Sequence, residues 1–320
     1  MTTVAPERAA PNAIGSTLGL LGDEWTLLIV RYAFAGVRRF GTWKAQLGIS
    51  DAVLSSRLTA LVDAGLLRRE PYCTRPARFE YHLDVPGQHL WPVLVSIWSW
   101  EQHHVEGGRE RLPTMVHDSC GSSFAPQLRC RHCQAAASVD DVDIALGPSG
   151  SFARSMPVGA NRRRGPARTA HPAPGLFPET MALIGNRWSS SLLGAAFLGA
   201  TRFTDFEQML GAPPTVVSQR LRSFVALGVL ERRILGTRPD RATYHLTVKG
   251  RAFFPVVATM LAWGERWWPA PDGPAVLAVH DACGAPFVPE LACAVCDVRL
   301  TASAVRVVPS DVEDPVAPPR

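Results

Sequence analysis

The chain has 320 residues, enough for two or three ordinary domains, and its 47% hydrophobic and 19% charged content is that of a globular protein, not of a disordered or fibrous one. It contains no apolar run of about 18 residues, the length a membrane-crossing helix needs. MTTVAPERAAPNAIG lacks the basic start and apolar core of a secretory signal, so a cytoplasmic location with reduced thiols is expected. The net charge of +5 is too mild to indicate an acidic partner by itself.

Residues 17–36, TLGLLGDEWTLLIVRYAFAG, are apolar at helical spacing and interrupted near Gly22, which predicts two helices. FGTWKAQLG follows as a short helix. ISDAVLSSRLTALVDAG begins with Ser50–Asp51 as N-cap and stops at Gly65. Its Leu54, Leu58, Leu61 and Val62 share one face, which should be buried. LLRREPY and FEYHL predict two strands joined by a turn bearing Arg75, Pro76 and Arg78. A Trp-rich helix, HLWPVLVSIWSWEQHHVE, closes the unit. Next comes HDSCGSSFAPQLRCRHC, residues 117–133.

The whole layout then recurs, without a gap, 163 positions later. LLGDEW (20–25) returns as LIGNRW (183–188), SSRL (55–58) as SQRL (218–221), and TRPARFEYHL (74–83) as TRPDRATYHL (237–246). The Cys-bearing segment returns as HDACGAPFVPELACAVC at 280–296. A match of this length implies duplicated domains, not a short-period solenoid. The expected organisation is a first winged-helix domain at 14–110 and a first Cys/His, zinc-ribbon-like segment at 113–146. A flexible basic linker at 147–175 leads to a second winged-helix domain at 176–270, a second Cys/His segment at 276–308, and a tail at 309–320. The fold class is mainly α with small β-hairpins (α+β).

Three helices followed by a hairpin describe a winged helix-turn-helix, whose third helix fits the major groove of B-DNA. The outward face of that helix offers Ser55, Ser56, Arg57 and Thr59 in copy one, and Thr215, Ser218, Gln219, Arg220 and Arg222 in copy two. Arg can grip guanine and Gln can grip adenine in two-point fashion, while hydroxyls bond phosphates or bases. The hairpin tips add Arg75 and Arg78, and Arg238 and Arg241. Arg57 and Arg220 have a second reading, as members of intradomain ion pairs. The copies differ in charge: residues 14–106 hold nine basic and nine acidic side chains, residues 177–269 eleven and six. Copy two, with Arg162, Arg163 and Arg164 nearby, is therefore expected to supply more of the electrostatic affinity.

These motifs resemble the HxlR-type winged-helix transcriptional regulators, through LLGDEWTLLIVRYAFAGVRRF, SSRLTALVDAGLLRR and RPARFEYHL in copy one, and LIGNRW, TRFTDF, VSQRLRSFVALGVLERR and RPDRATYHLTVKG in copy two. The resemblance implies a bacterial DNA-binding regulator, expected to be a repressor, that works as a dimer through its first and last helices. It maps recognition helices onto Asp51–Asp63 and Pro214–Ala226, and wings onto Tyr72–Phe79 and Leu235–Ala242. Many such regulators carry a cysteine thirteen residues before the tryptophan that is Trp25 or Trp188 here; Asn12 and Gly175 occupy those positions, so redox sensing by that thiol is not expected. Cys73, in the wing, has Gly236 opposite it and reads as a bystander. Tandem copies allow the dimer to form within one chain, with the Trp-rich helices as the seam and a homodimer of chains as the alternative.

Each Cys-bearing segment reads H-x2-C-x9-C-x2-C. The expected ligand sets are His117, Cys120, Cys130 and Cys133, and His280, Cys283, Cys293 and Cys296, each holding one structural zinc. Gly121 and Gly284 would permit the turns, and Phe124 and Phe287 would supply apolar backing. The alternative is reduced thiols and a surface histidine inherited by duplication. His132 has Val295 opposite it and is not expected to ligate. Asp118 and Asp281 read as supports for the metal geometry or as turn caps. No phosphate loop, nucleophile elbow or metal-hydrolase motif occurs, so no enzymatic activity is expected. The rival function is a winged-helix protein-interaction module. A small-molecule effector pocket between the wing base and the Trp-rich helices is open as an idea but has no residue-level signature.

Overall fold

The computed structural model describes residues 10–156, 177–234 and 241–308. In copy one, the Asn12 side chain accepts from the Gly15 N–H and starts α1 (Ala13–Leu21). Asp23 then caps α2 (Glu24–Phe34) by accepting from Thr26 N–H; these two caps explain why one apolar stretch becomes two helices. α3 (Phe40–Leu47) ends at Gly48 in the left-handed region, φ +59°, and Ser50 caps α4 (Asp51–Asp63). α4 buries Leu54, Leu58 and Leu61, the expected face. β1 (Leu67–Thr74) and β2 (Ala77–Leu83) pair from Leu67↔Leu83 to Thr74↔Ala77, so Arg75 and Pro76 form the tip. α5 (Val85–Gln88) and the long α6 (Trp91–His104) follow.

The small segment after copy one contains α7 (Gly108–Arg111), β3 (Thr114–His117), β4 (Ser122–Ser123), β5 (Pro126–Cys130) and β6 (Val142–Leu146). Residues 147–156, expected to begin the linker, are folded instead. They include α8 (Phe152–Ser155), Asn12 Nδ2 donates to Ser149 O at 3.1 Å, and Gly147 N–H reaches Ala275 O at 3.0 Å. Asn12 is thus spent on holding this segment to α1.

Copy two repeats the plan as α9 (Pro178–Ile184), α10 (Arg187–Phe197), α11 (Phe203–Leu210), α12 (Pro214–Ala226), β7 (Leu230–Ile234), β8 (Ala242–Leu246), α13 (Val248–Arg251) and α14 (Phe254–Trp267). Its small segment has β9 (Val276–His280), β10 (Pro289–Cys293) and β11 (Val305–Val308). Arg238, Gly175, the Arg162–Arg164 run and the tail lie outside the described residues. Among the described residues no single helix is long and apolar enough to cross a membrane.

The copies interlock in two places. In the small segments β5 pairs antiparallel with β10, β6 with β9, and β3 with β11; these three pairs join strands from different copies, while β4 pairs with β3 of its own copy. In the helical layer α6 packs on α14. Trp100 Nε1 donates to Lys249 O at 3.0 Å, and Trp263 Nε1 donates to Pro86 O at 2.9 Å. These contacts are equivalent under the 163-residue shift, so each copy anchors its tryptophan in the other. Trp98 turns inward: its Nε1 donates to Pro113 O at 2.8 Å and its ring packs on Phe124. The tryptophans therefore serve both the seam and the individual cores.

A buried carboxylate also crosses the seam. Glu101 is fully buried; its carboxylate accepts from the Thr180 N–H of copy two at 2.8 Å and from Arg111 at 3.0 Å. Burial pushes its pKa above the ordinary carboxylate value, opposed by the Thr180 N–H and Arg111. The folded chain then holds this proton to higher pH than the unfolded chain does. Stability from this group is greatest below the unfolded carboxylate pKa and declines as pH rises through the folded value. Glu101→Gln, which keeps an acceptor for Thr180, should flatten this decline in urea midpoints measured between about pH 4 and pH 8. Glu101→Ala should cost about 1–3 kcal/mol by leaving the Thr180 N–H without its acceptor.

Candidate metal centres and nucleic-acid interface

The eight expected ligands come together, but not in the expected sets. One cluster is His117, Cys120, Cys293 and Cys296; the other is Cys130, Cys133, His280 and Cys283. Each unites the H-x2-C of one copy with the C-x2-C of the other. The reason is strand direction. β5 and β10 run antiparallel with Cys130 opposite Pro289 and Cys293 opposite Pro126, so the two C-x2-C turns leave opposite ends of the ribbon. Each H-x2-C turn lies at the end nearest the partner copy's thiols. The expectation of one self-contained site per copy is therefore corrected.

Within each cluster the ligand atoms all lie within 4.8 Å of one another. His117 Nδ1 is 3.6 Å from Cys120 Sγ and 3.3 Å from Cys296 Sγ, and the Cys120 and Cys293 sulfurs are 4.0 Å apart. His280 Nδ1 is 3.3 Å from Cys133 Sγ and 3.4 Å from Cys283 Sγ. A tetrahedral ion with thiolate and imidazole ligands at zinc-like bond lengths has edges of roughly 3.5–3.8 Å, so the donors fit. Both histidines are buried, and all seven cysteines are free thiols. The Ser122 N–H, with help from His117, Cys296 and Cys293, lowers the Cys120 pKa to about 7, favouring the thiolate that a metal requires.

Local chain geometry builds the turns. Gly121 (φ +68°) and Gly284 (φ +65°) take the left-handed conformation after the first cysteine, and their N–H groups return to His117 O and His280 O at 2.8 Å. Gln134 and Asp297 do the same after the last cysteine. Phe124 and Phe287 lie beside the two histidine rings. His132 is exposed and outside both clusters. Asp118 does not support a ligand histidine; its carboxylate pairs with Arg306.

On the helical face, Ser55, Ser56 and Thr59 of α4 are exposed, as are Thr215, Gln219 and Arg222 of α12; Ser218 is half-buried. Arg75, Arg78 and Arg241 are exposed on the hairpins. Cys73 sits beside the bulge in β1, with its thiol 3.6 Å from Arg75 O. Of its two readings, Arg57 shows the intradomain ion pair. Its guanidinium makes two bonds to Asp23, at 2.8 and 2.9 Å, and so ties α4 to the cap of α2. Asp23 raises the Arg57 pKa further. In copy two the counterpart of Asp23 is Asn186, whose side chain accepts from Trp188 N–H. Arg220 has no carboxylate partner among the described residues, and its buried Nε makes no hydrogen bond. The D-to-N difference was readable in LLGDEW against LIGNRW; what it does to the two arginines was not.

Two helix-turn-helix units with wings, α2–β2 and α10–β8, define a winged-helix protein of the regulator class. The HxlR-like helix-turn-helix family matches residues 20–108 and 183–272, and the chain belongs to that family. The uncharacterized HTH-type transcriptional regulators Rv3095 of Mycobacterium tuberculosis and Mb3122 of Mycobacterium bovis are each 39% identical over 137 residues, which cover 43% of this chain and 87% of theirs. YvaP of Bacillus subtilis, another uncharacterized HTH-type transcriptional regulator, is 28% identical over 92 residues, covering 28% of this chain and 85% of its own. The solved structure of PA1374 from Pseudomonas aeruginosa is 30% identical, covers 43% of this chain and 94% of that one, and has a TM-score of 0.34.

The crossed ligand sets make a prediction that separates them from self-contained ones. Cys120→Ser with Cys293→Ser damages one crossed cluster and should leave about one tightly held metal per chain, whereas Cys120→Ser with Cys130→Ser damages both and should leave none. Self-contained sites would reverse the two results, read by metal analysis of the purified variants.

Proposed function

We propose that the chain is a sequence-specific double-stranded-DNA-binding transcriptional regulator in which one polypeptide supplies both halves of a dimer, with structural zinc in each crossed Cys3His cluster. The observation that carries this reading is the pairing of two exposed recognition helices, α4 and α12, on copies that share strands and exchange tryptophan contacts. Membership of a helix-turn-helix family whose named relatives are transcriptional regulators supports the DNA part. The donor chemistry supports zinc: three thiolates and an imidazole close the tetrahedron and leave no open position for catalysis. Zinc here would clamp the two copies together.

Ser55, Ser56 and Thr59, and Thr215, Ser218, Gln219, Arg220 and Arg222, are the proposed groove-facing groups. Arg75, Arg78, Arg238 and Arg241 are the proposed wing contacts. Arg57 is reassigned to orienting α4. Because the two helices present different side chains, the operator should be an imperfect palindrome with half-sites about one turn, roughly 34 Å, apart.

Three measurements test the proposal. In dilute solution the chain should sediment as a compact monomer that protects one bipartite site in genomic footprinting; an obligate dimer of chains, or no footprint, would overturn it and favour the protein-interaction reading. Replacing Arg238 and Arg241 should weaken operator binding more, and flatten its salt dependence more, than replacing Arg75 and Arg78, because copy two carries the positive charge. Arg220→Ala should reduce operator affinity, while Arg57→Ala should act chiefly on stability, by about 1 kcal/mol or less for its half-exposed pair.

A further inference from the structure

The two sides of the seam carry different side chains at equivalent positions. An apolar cavity of about 120 Å³ lies where α1, β6 and α8 of the first half meet α9, α10, α14 and β9 of the second. Its walls are almost wholly aliphatic and aromatic, with Phe152 and Phe254 among them. The 163-residue shift names the counterpart of each wall residue on the other side. Ser190, Ser191 and Gly194 correspond to Leu27, Leu28 and Arg31. Ile14 and Leu261 correspond to Phe177 and Trp98. Leu27, Leu28, Phe177 and Trp98 are all buried, at 1–4% exposure. At these five positions the larger side chain stands on the other side, while wall residues Leu193 and Leu198 have the smaller counterparts Val30 and Ala35. The cavity opens partly to solvent, and a helix carrying Ser190, Ser191 and Gly194 toward it is not what the copy-one sequence does.

We propose that this cavity is a binding site for a small, uncharged, mainly apolar molecule about the size of one aromatic ring, acting as an effector. The size follows from volume: a dry, apolar cavity of about 150 Å³ binds benzene. The exclusion of charged ligands follows from the walls, where an ion would lose its hydration and find only the hydroxyls of Thr17, Ser155, Ser190 and Ser191, with no opposite charge. The route to function rests on the DNA-binding reading above. α10 forms one wall, and the same helix packs against α12, so occupancy bears directly on the copy-two recognition helix. The site is distinct from the wing-base pocket considered from the sequence, and because Leu27, Leu28 and Trp98 stand in the places of Ser190, Ser191 and Leu261 on the other side of the seam, one ligand per chain is expected.

The test uses the full chain and benzene as probe. Isothermal titration should show saturable binding with one site, and the melting temperature should climb with benzene concentration and level off. Ser191→Leu, which imports the copy-one residue, should melt higher than the parent without ligand and lose the benzene response. Leu261→Trp, importing Trp98, provides a second filled variant should the first fail to fold. Saturating benzene should change operator affinity about fivefold or more in the parent and leave a folded filled variant unchanged. Absence of saturable binding, or equal binding by a folded filled variant, would overturn the site. Binding that leaves operator affinity unchanged would overturn the effector role. A parent chain that binds benzene but no DNA would instead refute the proposed function and leave the site standing.

Discussion

The antiparallel pairing of β5 with β10 is the constraint on which the rest of this molecule depends. Two cysteines three residues apart can fill only two corners of a tetrahedron. The other two corners must come from another turn, and strand direction decides which turn is near. Running in opposite directions, the strands carry their C-x2-C turns to opposite ends of the ribbon, where the H-x2-C turns of the other copy wait. β3 with β11 and β6 with β9 complete the exchange. The small segments therefore have no separate identity as two ribbons; they form one body woven from both halves of the chain.

That weave holds the helical layer in register. Trp100 and Trp263 insert into opposite copies by equivalent bonds, the mark of an approximate two-fold relation retained since duplication. Elsewhere the relation has been broken by a few substitutions. Glu101 accepts from Thr180, but its counterpart is Gly264, where an added Cβ would meet the Thr17 hydroxyl at 2.2 Å. The glycine lets α1 lie close on α14. Asp23 neutralises Arg57, while Asn186 leaves Arg220 without that partner. Ser190, Ser191 and Leu261 stand in copy two where copy one has Leu27, Leu28 and Trp98. Each change is a local matter of charge or volume, yet together they give the halves different surfaces and a different fill.

Much of the fold was legible because its signals are local. The break near Gly22, the Ser50 cap and the buried Leu54, Leu58 and Leu61 of α4 depend on neighbours within one or two turns, while Val62 at the margin of that face is half-buried. The strands of the hairpins followed from alternation and from the turn at Pro76. Residues 147–156 misled: Gly, Pro and Ser suggested a loose tether, but Asn12 and Ala275, distant in sequence, supply the bonds that hold this stretch. The two readings of Arg57 could not be separated from its position alone, because an outward helix face and a reach toward Asp23 look the same in a list of residues.

The sequence by itself determined that there are two copies, that each has a helix-turn-helix with a wing, and which eight side chains are suited to bind metal. Repeat spacing, helical periodicity and ligand chemistry are properties of a chain read along its length. Only the tertiary structure decided which of those eight share a site, that Arg57 turns inward, and that one side of the seam holds a cavity. Those outcomes depend on which parts of the chain meet, and two equivalent segments leave both self-pairing and cross-pairing open until strand direction chooses between them.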